Sequence, residues 1–215
     1  MTQMMNLLLL RHALNDWVGE RLAGWTPGVH LNDKGRAQAS DLAQRLAEVP
    51  FADIYCSPLE RTLETAQPLA EAHGLTVQVR EGLGETRYGD WTGRALGDLR
   101  EEKLWPVVQV YPGGARFPAG ESLREVQARM VAELDAIRDA HPGQAVAVIS
   151  HSDPIKLAVA HYAGLPLDLF QRLTISPASV TAFAFTRFGP RLICLNHTDP
   201  LPSFQIEKKE QDEEQ

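Results

Sequence analysis

"LLLLRHALN", residues 7–15, runs an unbroken apolar stretch straight into an arginine and a histidine. Leucines in succession suit a short strand buried on both faces of a parallel sheet, because such a strand has no solvent face to leave polar. Arg11 and His12 then stand where the strand stops. In open α/β sheets that carboxyl end is the place where ligands bind, so the stretch suggests a fold and a site together.

Strands of similar kind recur along the chain. Residues 5–10, 52–57, 75–79, 145–150, 180–185 and 191–196 are apolar and short enough for about six strands. Helical patterns lie between them. In "NDKGRAQASDLAQRLAEV", Asn32 is placed to cap the first turn, and Ala39, Leu42, Ala43 and Leu46 fall on one face. "SPLERTLETAQPLAEAHG" predicts a helix capped by Ser57, with Pro58 at its first position, Glu60 closing a capping box, a kink at Pro68 and a stop at Gly74. "ESLREVQARMVAELDAIRDAHPG" pairs Ser122 with Glu125 at its start and ends on His141, Pro142 and Gly143. A further helix is expected after Asp153 and Pro154.

Strands alternating with helices give an α/β protein with a mostly parallel mixed sheet covered on both faces. The tight "RFGP" link at 187–190 makes the last two strands an antiparallel edge hairpin. No repeat or linker interrupts the chain, so residues 1–206 are expected as one domain and 207–215, "EKKEQDEEQ", as a charged solvated tail. The stretch 86–120, rich in Gly, Pro, Trp and Tyr, is the least regular and a candidate lid.

Composition bounds the function classes. At 215 residues, 44% apolar and 23% charged, the chain can build a full core. A net charge of −7 argues against a nucleic-acid footprint. The apolar runs are too short for a membrane helix, and Met1 to Asn6 does not read as a secretion signal. Cys56 and Cys194 sit apart in apolar surroundings and read as unpaired strand residues of a reducing compartment, so the expected location is the cytoplasm.

"AVAVIS" at 145–150 is followed by His151 and Ser152, as the first strand is followed by Arg11 and His12. If the two strands are neighbours, both imidazoles emerge at one crevice. Arg61 lies at the start of the helix after the second strand, where helix N-termini favour anions, although a surface arginine paired with Glu60 or Glu64 is the plainer reading of that residue alone. Together Arg11, His12, Arg61 and His151 suit a phosphoryl group. Guanidinium forks match its oxygens, and a neutral imidazole can attack phosphorus. "LGETRYGDWTG", residues 83–93, offers Glu85 as the acid for a departing oxygen, with Tyr88 and Trp91 to dry it. A solvated glutamate in a glycine-rich loop is an equally weighted alternative.

The chain resembles the histidine phosphatase superfamily, the phosphoglycerate mutase-like proteins. The resemblance runs from Leu7 to about Asn196 through "LLRHALNDW", "AGWTPGVHLNDKGRAQA", "SPLERTLETA", "LGETRYGDWTG", "PAGESLREV" and "VAVISHSD" in order. It implies a three-layer α/β/α sandwich, His12 as the phosphorylated nucleophile, a phosphate pocket of Arg11, Arg61 and His151, and Glu85 as the proton carrier. Ala13, Ser152 and Val18 depart from the family pattern, standing where glycine, glycine and a phosphate-contacting asparagine are usual. Asn15 replaces that contact only if the loop runs differently.

The activity expected is hydrolysis of a small phosphomonoester without metal or other cofactor. A phosphoglycerate mutase is the first alternative, disfavoured by the compact 83–93 passage, and a non-catalytic phospholigand sensor is the second, disfavoured because all five groups are present. Trp25, Arg87 and Arg116 are candidate substrate contacts at the pocket mouth, although a packing or surface role is the plainer reading of each, and Asn15 and Ser152 are further candidate substrate-binding residues. The expected partner is a small phosphorylated metabolite, with neither nucleic acid nor membrane, and a homodimer is expected only because dimers are common.

Overall fold

Alternate leucines of the opening stretch serve opposite faces of a sheet. In the computed structural model, which describes residues 4–199, Met5–Arg11 forms β1. Leu8 and Leu10 pack on one side with Ala39, Leu42 and Leu46, whereas Leu7 and Leu9 pack on the other with Met130, Leu134 and Ile155. This is what a continuous apolar strand requires when helices cover both sides.

The remaining strands are β2 (Phe51–Cys56), β3 (Val77–Val79), β4 (Ala145–Ser150), β5 (Val180–Thr186) and β6 (Gly189–His197), arranged β3-β2-β4-β1-β5-β6. β1, β2, β3 and β4 pair in parallel, and β5 is antiparallel to both β1 and β6. Helices α1 (Asp33–Arg45) and α2 (Glu60–His73) supply the first face. Two short helices, α3 (Leu96–Leu99) and α4 (Trp105–Val110), precede α5 (Leu123–Ala140) and α6 (Ser152–Tyr162), which supply the second. The architecture is the expected α/β/α sandwich with an edge hairpin. The tail 207–215 lies outside the described residues.

Three local expectations change. Ser57 does not cap α2, and its capping box does not form: the helix starts at Glu60 after Leu59, which makes no side-chain cap. The Ser57 hydroxyl bonds His151 instead, and Glu60 accepts from the Gly28 amide, so tertiary partners displace the local cap. By contrast Asn32 caps α1, Ser122 and Glu125 form their capping box, and Gly74 ends α2 at φ 63°. The final helix begins at Ser152, directly after His151. The 86–120 stretch is more ordered than its composition suggests. Its Tyr88, Trp91, Leu99, Val108 and Phe117 form a third apolar cluster with Leu123 and Phe170.

Candidate active site

β1 and β4 are parallel neighbours with Arg11 opposite Ser150, so the next residue of each strand reaches the same level. The His12 amide donates to the Ser150 carbonyl at 2.9 Å, and the two imidazole centroids lie 5.2 Å apart. Both rings are buried. His12 Nδ1 lies 2.7 Å from the Ala13 carbonyl, which can only accept; Nδ1 therefore carries the proton and Nε2 keeps its lone pair. Burial, followed by the charges of Arg11 and Arg61, holds the His12 pKa well below the usual histidine value.

His151 is held from its other side. Its Nε2 is 2.8 Å from Ser57 Oγ, which also receives the Leu59 amide at 3.4 Å. Nε2 is the acceptor that the Ser57 hydroxyl proton finds among the described residues; that assigns the remaining proton of the neutral ring to Nδ1, a donor. That atom is buried without a protein acceptor, 3.9 Å from Glu85 Oε2. Burial and then Arg61 lower the His151 pKa well below the usual value, so this ring is also neutral.

Two guanidinium groups complete the floor. Arg61, in the first turn of α2, is only 1% exposed and gives Nη2 to the Gly24 carbonyl at 2.8 Å, while its Nε and Nη1 have no acceptor. Arg11 gives Nη1 to the Ile175 carbonyl at 2.6 Å and likewise leaves Nε unpaired. Removing a guanidinium from water costs several kcal/mol unless its N–H groups are met. Arg11 Nε, Arg61 Nε and Nη1 and His151 Nδ1 are the donors an oxyanion would satisfy.

Glu85 follows a short 3-10 turn, Glu81–Leu83, beyond β3. Its Oε1 accepts the Thr86 amide at 2.9 Å. Burial, reinforced by Asp153, pushes its pKa up to about 7 against the opposing pull of Arg61 and Arg11. A carboxyl with that pKa can give and retrieve a proton near neutrality.

A crevice of about 160 Å³ is lined by Arg11, His12, Asn15, Val18, Arg61, Glu85, Tyr88, Ser152 and Asp153, with Arg21 and Leu96 among its other walls. The structure thus brings seven of the expected residues together: Arg11, His12, Asn15, Arg61, Glu85, Ser152 and, behind them, His151. Asn15 is buried and turns its Oδ1 onto the Trp17 amide at 2.9 Å, beside Val18. Trp25, Arg87 and Arg116 do not line this crevice. The Trp25 indole donates to the Glu85 carbonyl at 2.6 Å, Arg87 stacks 3.9 Å over the Trp25 ring, and Arg116 pairs with Glu125 outside.

Ser57, Thr65 and Tyr88 lie within "SPLERTLETA" and "LGETRYGDWTG", but their partners in the site are not legible there. Ser57 orients His151, and Thr65 accepts the Ala13 amide at 2.9 Å while donating to the Arg61 carbonyl at 2.6 Å, which ties the two phosphate-facing segments together. Tyr88 donates to Asp153 at 2.9 Å. Their tertiary contacts span 52 to 94 positions of chain, from the Ala13–Thr65 bond to the His151–Ser57 bond, beyond the reach of local pattern. Among the described residues, no three His, Cys, Asp or Glu side chains are grouped to hold a metal ion.

The family model of the histidine phosphatase superfamily (branch 1) matches residues 7–198. The chain belongs to this superfamily. Within it, phosphoserine phosphatase 1 of Hydrogenobacter thermophilus is 31% identical over 211 residues, covering 95% of this chain and 98% of the relative. A probable phosphoglycerate mutase GpmB of Cronobacter sakazakii is 33% identical over 181 residues, 83% of this chain and 84% of its own. Among solved structures, the mycobacterial glucosyl-3-phosphoglycerate phosphatase superposes with a TM-score of 0.80 at 28% identity, covering 91% of this chain and all (100%) of that one. Members of both kinds, phosphatase and mutase, therefore share this scaffold, and this histidine phosphatase is an enzyme of phosphoryl transfer. No helix among the described residues is long and apolar enough to cross a membrane.

Proposed function

We propose that the protein hydrolyses a small phosphomonoester through a phosphohistidine on His12 Nε2. The observation that carries this reading is the set of buried, unpaired donors on Arg11, Arg61 and His151 beside an imidazole whose free nitrogen is fixed by the Ala13 carbonyl. Those donors hold the phosphoryl oxygens. Nε2 forms its bond to phosphorus as the ester P–O bond breaks, and the Glu85 proton passes to the departing alcohol oxygen. Glu85, now ionised, takes a proton from water as that water attacks phosphorus. The Nε2–P bond breaks with its electron pair returning to Nε2, phosphate leaves, and His12 is again neutral.

Alignment and charge neutralisation are most of what phosphoryl transfer needs, and two guanidinium groups supply both without a metal ion. Arg21 adds a further cation to the crevice wall. It supports a carboxylated phosphomonoester as substrate class, in keeping with the phosphoserine and phosphoglycerate compounds in the relatives' names. A mutase reading draws on the Cronobacter relative and differs only in returning the phosphoryl group to another hydroxyl. The free thiols of Cys56 and Cys194 support a reducing, cytoplasmic setting.

The test is phosphate release from L-phosphoserine, 3-phosphoglycerate and p-nitrophenyl phosphate, with and without chelator. Wild type is expected to release phosphate in both conditions, and His12→Ala is expected to lose at least about 1,000-fold together with acid-labile labelling by radioactive substrate. Undiminished turnover by His12→Ala would remove the nucleophile. Formation of 2-phosphoglycerate in excess of free phosphate would favour the mutase.

A further inference from the structure

The loop that presents Glu85 is tied down along its carbonyls. Gly82, Leu83, Gly84 and Glu85 each direct a backbone oxygen at a side chain from elsewhere in the fold. Arg129, on α5, gives Nη1 to Gly82 at 3.0 Å and to Gly84 at 2.8 Å, and Nη2 to Glu85 at 2.8 Å. Its remaining donors go to Glu121, Nε to Oε1 at 2.8 Å and Nη2 to Oε2 at 3.0 Å. An arginine has five N–H bonds, and here all five have an acceptor. Ser150, the residue before His151, gives its hydroxyl to Leu83 at 2.7 Å, and the Trp25 indole shares the Glu85 oxygen.

Glu121 is itself fixed. Its Oε2 accepts the Arg87 amide at 2.8 Å, and its own amide donates to the Arg87 carbonyl at 2.8 Å. Arg129 and Glu121 thus hold the chain on both sides of Glu85. Neither side chain lines the crevice, so neither is placed to touch substrate.

We propose that Arg129, braced by Glu121, is the positioning residue for proton transfer by Glu85. The proposal deepens the phosphatase reading and rests on it. A planar fork that meets three carbonyls and a carboxylate at once fixes both the height and the tilt of the loop; a lysine ammonium, with three donors and no plane, cannot reproduce it. A general acid contributes about 100- to 10,000-fold, and a shift of ~1 Å forfeits much of that. The dependence falls on leaving groups that need a proton.

The experiment measures kcat/KM for a series of aryl phosphates from phenyl to p-nitrophenyl, at several pH values, for wild type, Arg129→Lys and Glu121→Gln. This parameter reports events through formation of the phosphoenzyme and departure of the alcohol. Arg129→Lys is expected to lower it about 30-fold for phenyl phosphate and less than about 3-fold for p-nitrophenyl phosphate, with a steeper leaving-group dependence, and its alkaline limb is expected to move. Glu121→Gln is expected to do the same to a smaller degree, and it provides the measurement if the arginine variant does not fold. Equal losses across the series, or none, in the folded variants would overturn the positioning role while leaving the phosphatase reading intact. Failure of wild type to hydrolyse any member would overturn that reading and this proposal with it.

Discussion

His12 is basic enough to attack phosphorus only while it is unprotonated, and its surroundings keep it so. The Ala13 carbonyl fixes the tautomer, and burial beside Arg11 and Arg61 disfavours the imidazolium. Glu85 is tuned the other way, its carboxyl kept protonated up to about pH 7 by burial and by Asp153. Two titratable groups with pKa values driven in opposite directions give a nucleophile and an acid that coexist at neutral pH. For substrates with poor leaving groups, kcat/KM is therefore expected to fall above about pH 7 as Glu85 ionises. Glu85→Gln should be about 100- to 1,000-fold slower and lack that alkaline limb. A pH–rate profile that is the same in both proteins would place the acid elsewhere.

At the scale of elements, the site depends on how α1 and α2 meet the turn after β1. The turn carries the departures from family pattern, Ala13 and Val18, yet it is firmly held. The Ala13 amide reaches Thr65 on α2, the Leu14 amide reaches Gln38 on α1, and the Leu14 carbonyl accepts the Asn32 amide. Gly35 permits this closeness, because a Cβ there would stand 1.9 Å from the Leu14 carbonyl oxygen. In an exposed helix, glycine to alanine gains about 1 kcal/mol. Here the collision with backbone outweighs that gain, so Gly35→Ala is expected to be about 1–3 kcal/mol less stable in urea unfolding. It should also lose about 10- to 100-fold in kcat/KM as residues 13–15 shift. Full stability and activity in this variant would show that the turn relaxes freely.

For the whole molecule, the same groups make stability depend on pH in two windows. Glu85 has a folded pKa of about 7 against an ordinary 4.5. The folded state therefore holds this proton more tightly, and the associated stability, complete below pH 4.5, is lost as pH rises through about 7. His12 and His151 have lowered pKa values, so their contribution is present above the ordinary 6.5 and is lost as pH falls below it. Glu85→Gln should remove the first window and leave the second. Urea midpoints at pH 5 and pH 8 are expected to show the variant gaining on wild type toward the alkaline side, by as much as ~3 kcal/mol. A constant difference across pH would mean that Glu85 titrates as an ordinary carboxyl.

Particular residues show what was legible. The leucines of β1 and the apolar run of β4 determine two strands buried on both faces, since no solvent face exists for them, and Asn32, Ser122 with Glu125, and Gly74 set helix ends by local bonds. Arg11, His12 and His151 were legible because a strand's end fixes where its next side chain goes. Ser57 was not, since a local cap and a distant imidazole compete for one hydroxyl and only the assembled fold gives it to His151. The same holds for Arg129, whose five acceptors converge from separate segments, and for Trp25 and Arg87, which the fold turns toward the Glu85 loop and away from the crevice wall. Sequence alone determined the sandwich and the chemical groups at its strand ends, because periodicity and strand termini are local properties. Tertiary structure decided which tautomers, pKa values and supports those groups possess, because burial and long-range hydrogen bonds exist only once β1, β4, α2 and α5 have met.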